Sequence, residues 1–183
     1  MKAIEILVKE HDSILKMIEV TQTILNSDDT SKVNLEHVEK IIDFIKNFAD
    51  KYHHLKEEDV LFREMEKHGI PRNGGPIAVM LHEHDEGRNY IKLAVEGIEQ
   101  LKLGDVYAFV EIKENLINYC TLLTQHIGKE NNILYPMAER MLPSTVGAEM
   151  KQSFELTNAT TVDNEYYDKY LKMVDELSAI YLK

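Results

Sequence analysis

Two copies of a histidine–glutamate motif in this chain have residue types that suit metal binding. His53 precedes Glu57 by four residues, and the same spacing separates His126 from Glu130. Residues four apart in a helix lie on one face, one turn from each other. Imidazole nitrogen binds iron, copper and zinc, and a carboxylate can bridge two hard cations. Each motif therefore offers one imidazole and one bridging carboxylate on the same helix face.

An internal repeat adds two further histidines. The tripeptide Glu-His-Asp occurs twice, 73 residues apart, which makes His11 and His84 equivalent, and the segment that begins at His53 recurs at His126 with the same offset. Two helical hairpins related by an approximate two-fold axis can direct equivalent side chains to one central site. The predicted metal ligands are His11, His53, Glu57, His84, His126 and Glu130.

The repeat also chooses between two overlapping pairs in the segment 53–58. His54 and Glu58 have the same spacing as the chosen pair, but they align with Ile127 and Asn131, which cannot serve equivalently. Other polar residues near the motifs are predicted to face solvent, because they lie in a loop or are rotated by roughly 100° to 200° from the ligands. They are His37, Lys56, His68, His82 and Lys129.

Long helices must position these motifs. Apolar residues recur at intervals of three and four, which predicts amphipathic helices. They cover residues 2–26, 34–67, 76 to about 102 and about 105–141, with a fifth helical region at 147–182 that is less regular near 157–164. A polar break at 26–31 separates the first helix from the second, and a glycine-rich loop at 68–76 separates the second from the third. Pro136 is expected to kink or loosen the last turn of the fourth helix.

Four long helices with short connections predict an all-α fold, an antiparallel up-down four-helix bundle over residues 1–142. Residues 143–183 form an additional C-terminal helical region without histidine. We expect this extension to pack on the bundle or on a second subunit, so a homodimer is a candidate assembly.

Composition and charge exclude several classes of protein. A net charge of −11 argues against nucleic acid and anionic membranes as partners. The single cysteine, Cys120, excludes an internal disulfide and a thiolate cluster, and its apolar neighbours predict a packing role. The chain has neither a run of ~20 apolar residues nor the apolar stretch of a signal peptide at its start. We expect a cytoplasmic protein.

The motifs resemble those of the hemerythrin-like, or HHE cation-binding, family in its bacterial form. The resemblance covers residues 1–142 and rests on the segments 10–12, 52–62, 75–88 and 126–136. It implies a four-helix bundle around two non-haem iron ions, joined by an oxo or hydroxo group and by the two motif glutamates. By this resemblance His11 and His53 bind one iron, and His84 and His126 bind the other.

Two departures from the oxygen-carrying hemerythrins bear on activity. Those proteins have a fifth histidine one turn before the equivalent of His84, where this chain has Met80. Their second bridging carboxylate is an aspartate five residues after the last histidine, whereas Glu130 follows His126 after four. Both departures argue against simple reversible oxygen carriage. The segment after residue 75 is closer to bacterial proteins proposed to repair iron–sulfur centres after nitrosative or oxidative damage.

Other metal-site classes fit less well. A ferritin-like di-iron site needs Glu-x-x-His on two helices, and no glutamate lies three residues before any histidine. Zinc sites usually hold one metal with fewer carboxylates.

Three functions remain open at this level. The chain could bind or sense dioxygen, nitric oxide or iron. It could be a di-iron enzyme or iron donor in stress defence and iron–sulfur centre repair, with a small gas or peroxide as ligand and a redox protein as candidate partner. It could also be a metal-free interaction bundle. No catalytic residue is identifiable. Gly87, one turn after His84 where the first half has Ile14, is a candidate entry point for small ligands to the iron bound by His84 and His126.

Overall fold

The computed structural model describes residues 1–26, 33–161 and 164–182, and these residues form helices without any strand. The all-helical class predicted from the sequence is confirmed. Six helical segments follow in order: α1 (Lys2–Leu25), α2 (residues 35–67), α3 (Pro76–Lys102), α4 (residues 108–141), α5 (Ser144–Thr161) and α6 (Asn164–Tyr181).

The predicted helix bounds agree closely for the first three helices. The fourth begins at Ala108 rather than near residue 105, and the fifth region consists of two helices. The polar break predicted at 26–31 lies outside the described residues except for Asn26. Part of the irregular stretch predicted near 157–164 lies outside them as well.

Two of the helices contain π-helical turns, in which backbone hydrogen bonds span five residues instead of four. In α2 the π-helical parts are Ile45–His54 and Glu57–Leu61, and in α4 the π-helical part is Glu130–Leu134. The turns Glu57–Leu61 and Glu130–Leu134 begin at the repeat-related glutamates. Pro136 was expected to kink or loosen the last turn of α4, but that turn is α-helical and the π-helical turn lies before the proline. The equivalent π-helical turn in α2 has no proline after it, so this winding does not require proline.

Apolar side chains form two clusters, and the predicted ligands lie between them along the chain. One cluster includes Leu7, Leu61 and Met80, and the other includes Ile14 and Leu123. In each half the histidine–glutamate motif falls between residues of the two clusters. A buried polar layer thus crosses an otherwise apolar interior, where unpaired polar groups are costly.

The helices α3 and α4 pack closely along each other. A Cβ atom on Gly97 would lie 2.8 Å from Ile112 Cγ1, so this close approach requires glycine. Cys120 is buried in the same region, as expected for a packing residue, and burial raises the pKa of its thiol to about 12.

Both C-terminal helices contact α1. In α5 the buried side chains Met150 and Phe154 join the cluster that contains Leu61, and in α6 Val174 and Leu177 join the other cluster. The helices α5 and α6 therefore add to both clusters. Among the described residues, no helix is both long enough and apolar enough to span a bilayer.

Candidate metal centre

The structure brings all six predicted ligands together in the buried polar layer. Their exposed fractions lie between 0% and 2%. They come from four helices: His11 from α1, His53 and Glu57 from α2, His84 from α3, and His126 and Glu130 from α4.

Glu57 lies between a histidine of its own half and one of the other half. Its Oε2 atom is 3.7 Å from His53 Nε2 and 3.5 Å from His84 Nε2. Its Oε1 atom accepts a hydrogen bond of 2.6 Å from the Tyr135 hydroxyl. One carboxylate oxygen thus faces two imidazoles from different hairpins, which is the placement that a bridging ligand needs.

Glu130 lies in the same way between the remaining two histidines, but it faces each of them with a different oxygen. Its Oε2 atom is 3.2 Å from His11 Nε2, and its Oε1 atom is 3.1 Å from His126 Nε2. The two glutamates therefore each link the position near His11 and His53 to the position near His84 and His126. Ligand atoms of His11 and His53 lie within 4.8 Å of one another, and so do those of His84 and His126.

The outer nitrogen of each imidazole is held by a polar side chain, which leaves Nε2 directed to the centre. The Nδ1 contacts are His11 to Asn131 at 2.9 Å, His53 to Glu10 at 2.9 Å, His84 to Glu58 at 2.7 Å and His126 to Glu83 at 2.9 Å. Such partners fix the tautomer and orientation of metal-binding imidazoles. These contacts also follow the internal repeat, because the two residues of each contact are 73 positions from the equivalent residues of another contact.

The inner atoms fit bound metal better than a hydrogen-bond network. Within the described residues, His53 Nε2, Glu57 Oε2 and both Glu130 oxygens are buried without a hydrogen-bond partner. The His84 and His126 Nε2 atoms are 3.0 Å apart. Two ligands about 2.1 Å from one ion and at right angles to each other would be separated by ~3.0 Å. The donor atoms therefore converge on shared points rather than on each other.

Without metal, the site carries opposite charges in close contact. Burial lowers the pKa of His84, but the nearby Glu57 and Glu58 carboxylates outweigh it and raise this pKa to about 9. Burial raises the pKa of Glu130, but His126 and His11 outweigh it and hold the value well below the usual range. The carboxylates are therefore ionised at neutral pH, the form that binds cations.

Lys56 was predicted to be a surface charge, and this prediction is wrong. Its side chain is fully buried and donates a hydrogen bond of 2.5 Å to Glu10 Oε1. Its Nζ atom lies 3.3 Å from the Tyr52 ring centre of its own helix and 6.0 Å from the Phe154 ring centre of α5, so these two rings help to cover it. The repeat-related Lys129 also donates to a glutamate, Glu83, but is 37% exposed.

The remaining histidines differ in their surroundings. His82 is exposed, as expected. His37 and His68 were also predicted to face solvent, and this is only partly right because both are half-buried. His37 Nδ1 lies 2.7 Å from the Tyr181 hydroxyl, and His68 Nδ1 lies 2.8 Å from the Glu64 carbonyl oxygen. His54, which the repeat argument set aside, lies within the buried layer at 5% exposure.

Tyr135 is a further site residue that the sequence argument did not single out. Its ring stacks on His11 with centres 5.5 Å apart, and its hydroxyl lies 3.3 Å from His11 Nε2. Burial raises the pKa of the hydroxyl well above its usual value, so the group stays protonated and donates to Glu57. The equivalent residue in the first half is Phe62, which has no hydroxyl. This difference between Phe62 and Tyr135 was the signal in the sequence that could have identified Tyr135.

Replacing Tyr135 by phenylalanine is expected to weaken metal binding roughly tenfold without unfolding the chain, because the Glu57 carboxylate loses its donor. Competition with a chelator under anaerobic conditions measures the change. The matched control is Phe62→Tyr, which adds a hydroxyl at the equivalent position of the other half. Unaltered affinity in Tyr135→Phe would show that the hydroxyl does not support the carboxylate.

A cavity of about 470 Å³ reaches the site from the side of α3. His54, His84 and Gly87 lie in its wall together with Tyr119 and Leu122. A Cβ atom on Gly87 would lie 3.4 Å from the Tyr119 ring and 3.8 Å from Leu122. The absence of a side chain at residue 87 therefore keeps this passage open beside the His84 imidazole.

Replacing Gly87 by leucine is expected to slow nitric oxide binding to the reduced, metal-loaded protein by about tenfold or more, because the side chain would fill the passage that leads to the buried centre. Stopped-flow absorbance measures the rate. Gly87→Ala, whose Cβ only touches the Tyr119 ring, should give a smaller effect. Equal rates in the native protein and in both variants would show that ligands enter elsewhere.

Comparisons with known proteins agree with this geometry. Residues 2–138 match the sequence model of the hemerythrin HHE cation-binding domain. The chain is 36% identical over 96 residues to the iron-sulfur cluster repair protein YtfE of Pectobacterium carotovorum subsp. carotovorum (strain PC1), a match that covers 48% of this chain and 41% of that protein. It is 33% identical over 91 residues to the protein of the same name from Musicola paradisiaca (strain Ech703), with 48% and 40% covered.

The matched segment thus spans less than half the length of these relatives. No solved structure matches the chain. The family match covers most of the chain and includes all six residues that meet in the buried layer. The chain therefore belongs to the hemerythrin HHE cation-binding domain family.

Proposed function

We propose that this chain is a non-haem di-iron protein that binds or senses dioxygen, nitric oxide or iron itself. The observation that carries the proposal is the placement of Glu57 and Glu130. Each carboxylate faces two imidazoles, one from each hairpin, at 3.1–3.7 Å. Two separate single-metal sites would have no need for this shared arrangement.

In this proposal the four histidines divide between two metal positions. The first position is formed by His11 and His53, and the second by His84 and His126. Both glutamates serve both positions. Imidazole and carboxylate suit iron, and they leave coordination positions for a small ligand.

We further propose that residues 1–142 form an antiparallel up-down four-helix bundle and that 143–183 extend it. The repeat supports this architecture, because equivalent residues of both hairpins meet around one centre. The contacts of α5 and α6 with α1 support an extension that packs on the bundle. We place the protein in the cytoplasm, where a reducing environment suits ferrous iron and a buried thiol.

When bound, a di-iron pair supplies electrons and open coordination positions to a gaseous ligand. The residues of the chain hold and shield that pair. The outer carboxylates orient the imidazoles, and the Tyr135 hydroxyl donates a hydrogen bond to Glu57. The apolar clusters on both sides exclude water, which strengthens the electrostatic interactions inside the layer.

Anaerobic iron loading tests the proposal. We expect about two iron ions per chain and a visible absorption spectrum of the reduced protein that changes on addition of oxygen or nitric oxide. Absence of bound iron after anaerobic loading would contradict the di-iron assignment. Bound iron with a spectrum that neither gas alters would contradict gas binding alone.

A second candidate is donation of iron to damaged iron–sulfur centres. The names of the two relatives favour it, although only part of each is matched. Loaded protein, incubated with an iron–sulfur enzyme inactivated by nitric oxide, should restore its activity beyond an equal amount of free ferrous iron. Equal recovery with free iron would reject donation and leave binding or sensing as the function.

A further inference from the structure

His54 occupies the buried layer although its repeat equivalent, Ile127, has no ligand atom. Its ring stacks on His84 with centres 3.9 Å apart and an angle of 12° between the planes. One of its ring nitrogens lies within 4.8 Å of ligand atoms of Glu57, His84 and His126. All four of these side chains are buried. His54 therefore shares the space that the second metal position would fill.

The surroundings of His54 partly follow the pattern of the four predicted histidines. Its Nδ1 atom lies 3.5 Å from Asp50 Oδ1, and Arg88 Nε donates a hydrogen bond of 2.9 Å to the same oxygen. No direct hydrogen bond joins the two, and His54 Nδ1 has no hydrogen-bond partner within the described residues. Metal binding through the other ring nitrogen would leave the proton on Nδ1, the nitrogen that faces the Asp50 carboxylate, as in the four predicted histidines.

The two consecutive histidines lie in a π-helical part of α2, where the rotation between neighbours differs from that in an α-helix. Adjacent residues of an α-helix are rotated by roughly 100°. A π-helix has more residues in each turn, so the rotation between neighbours is smaller. His53 and His54 end the π-helical segment Ile45–His54, whereas the equivalent residues 118–127 of α4 are α-helical. The first hairpin thus presents two imidazoles where the second presents one.

We infer that His54 is a third imidazole ligand of the metal bound by His84 and His126. This inference rests on the proposed di-iron centre. The second metal position then has five protein ligands, the three imidazoles and the two bridging carboxylates. The first position has four. The two metals are therefore chemically different, and the position near His11 and His53 has one protein ligand fewer.

Substitution of His54 by isoleucine tests the inference, because it gives α2 the residue that α4 has at the equivalent position. We expect the second metal to bind at least ~10-fold more weakly, since loss of an outer partner alone costs about that much. In the iron-loaded protein, the two Mössbauer signals should become more alike. His82→Ile, at an exposed histidine of α3, is the matched control and should leave both measurements unchanged.

A measurement on the native chain keeps the inference testable if His54→Ile fails to fold. In the cobalt-loaded protein, each metal-bound imidazole gives a strongly shifted N–H proton signal that exchanges with solvent. Five such signals are expected, and four would overturn the inference. Binding of two metals with unaltered affinity and spectra in folded His54→Ile would overturn it as well. Failure of the native protein to bind two metals would instead reject the di-iron proposal itself.

Discussion

Substitution of Glu130 by glutamine is expected to leave the chain folded but unable to retain a metal pair. The Glu130 oxygens lie 3.1–3.2 Å from His126 and His11, so this carboxylate contributes to both metal positions. Glutamine has nearly the same shape, but its amide is neutral and its nitrogen is not a ligand. One negative charge and one bridge are lost together, and Glu57 alone must then hold the two ions.

Bound iron in Glu130→Gln should fall from about two ions per chain to one or fewer. Metal analysis after anaerobic loading and desalting gives this number, and circular dichroism reports whether the helices persist. Glu114→Gln, at an exposed position of α4, is the control and should bind as much iron as the native protein. Two retained ions in Glu130→Gln would show that this carboxylate is not a bridging ligand.

Substitution of Lys56 by methionine is expected to lower the free energy of unfolding of the metal-free protein by roughly 3–5 kcal/mol at pH 8, because it leaves a buried charge without its partner. Glu10 is only 2% exposed and accepts hydrogen bonds from both Lys56 and His53. Lys129→Met is the matched control in the other half. It removes a lysine that is 37% exposed and should cost ~1 kcal/mol or less.

The cost of Lys56→Met should depend on pH in a definite direction. Burial already raises the pKa of Glu10 to about 7 against the opposing effect of Lys56, and removal of the lysine raises it further. When the pKa of a carboxyl group is higher in the folded chain than in the unfolded chain, the free energy of unfolding falls as pH rises from 4.5 through the pKa of the folded chain. Denaturant unfolding should therefore show a larger loss at pH 8 than at pH 5. Equal losses at both values would mean that Glu10 is not left charged and unpaired.

The sequence predicted the helices and the central set of side chains because both depend on local spacing. A helix places residues four apart on one face, so His53 with Glu57 and His126 with Glu130 could be recognised without knowing the fold. The repeat then related the two halves by a fixed offset. The outer partners follow the same offset, but an offset alone does not reveal which polar neighbours of a ligand will reach it.

The tertiary structure decided what breaks the symmetry between the halves. Lys56 is buried beside Tyr52 of its own helix and Phe154 of α5, whereas the repeat-related Lys129 is partly exposed. His54 lies in the buried layer beside His53, in the π-helical part of α2, although the repeat argument had set it aside. Helix periodicity and repeat register thus determined the six predicted residues. Packing across the chain and the local change in helix winding determined which further side chains surround them, because both depend on contacts between segments that are distant in sequence.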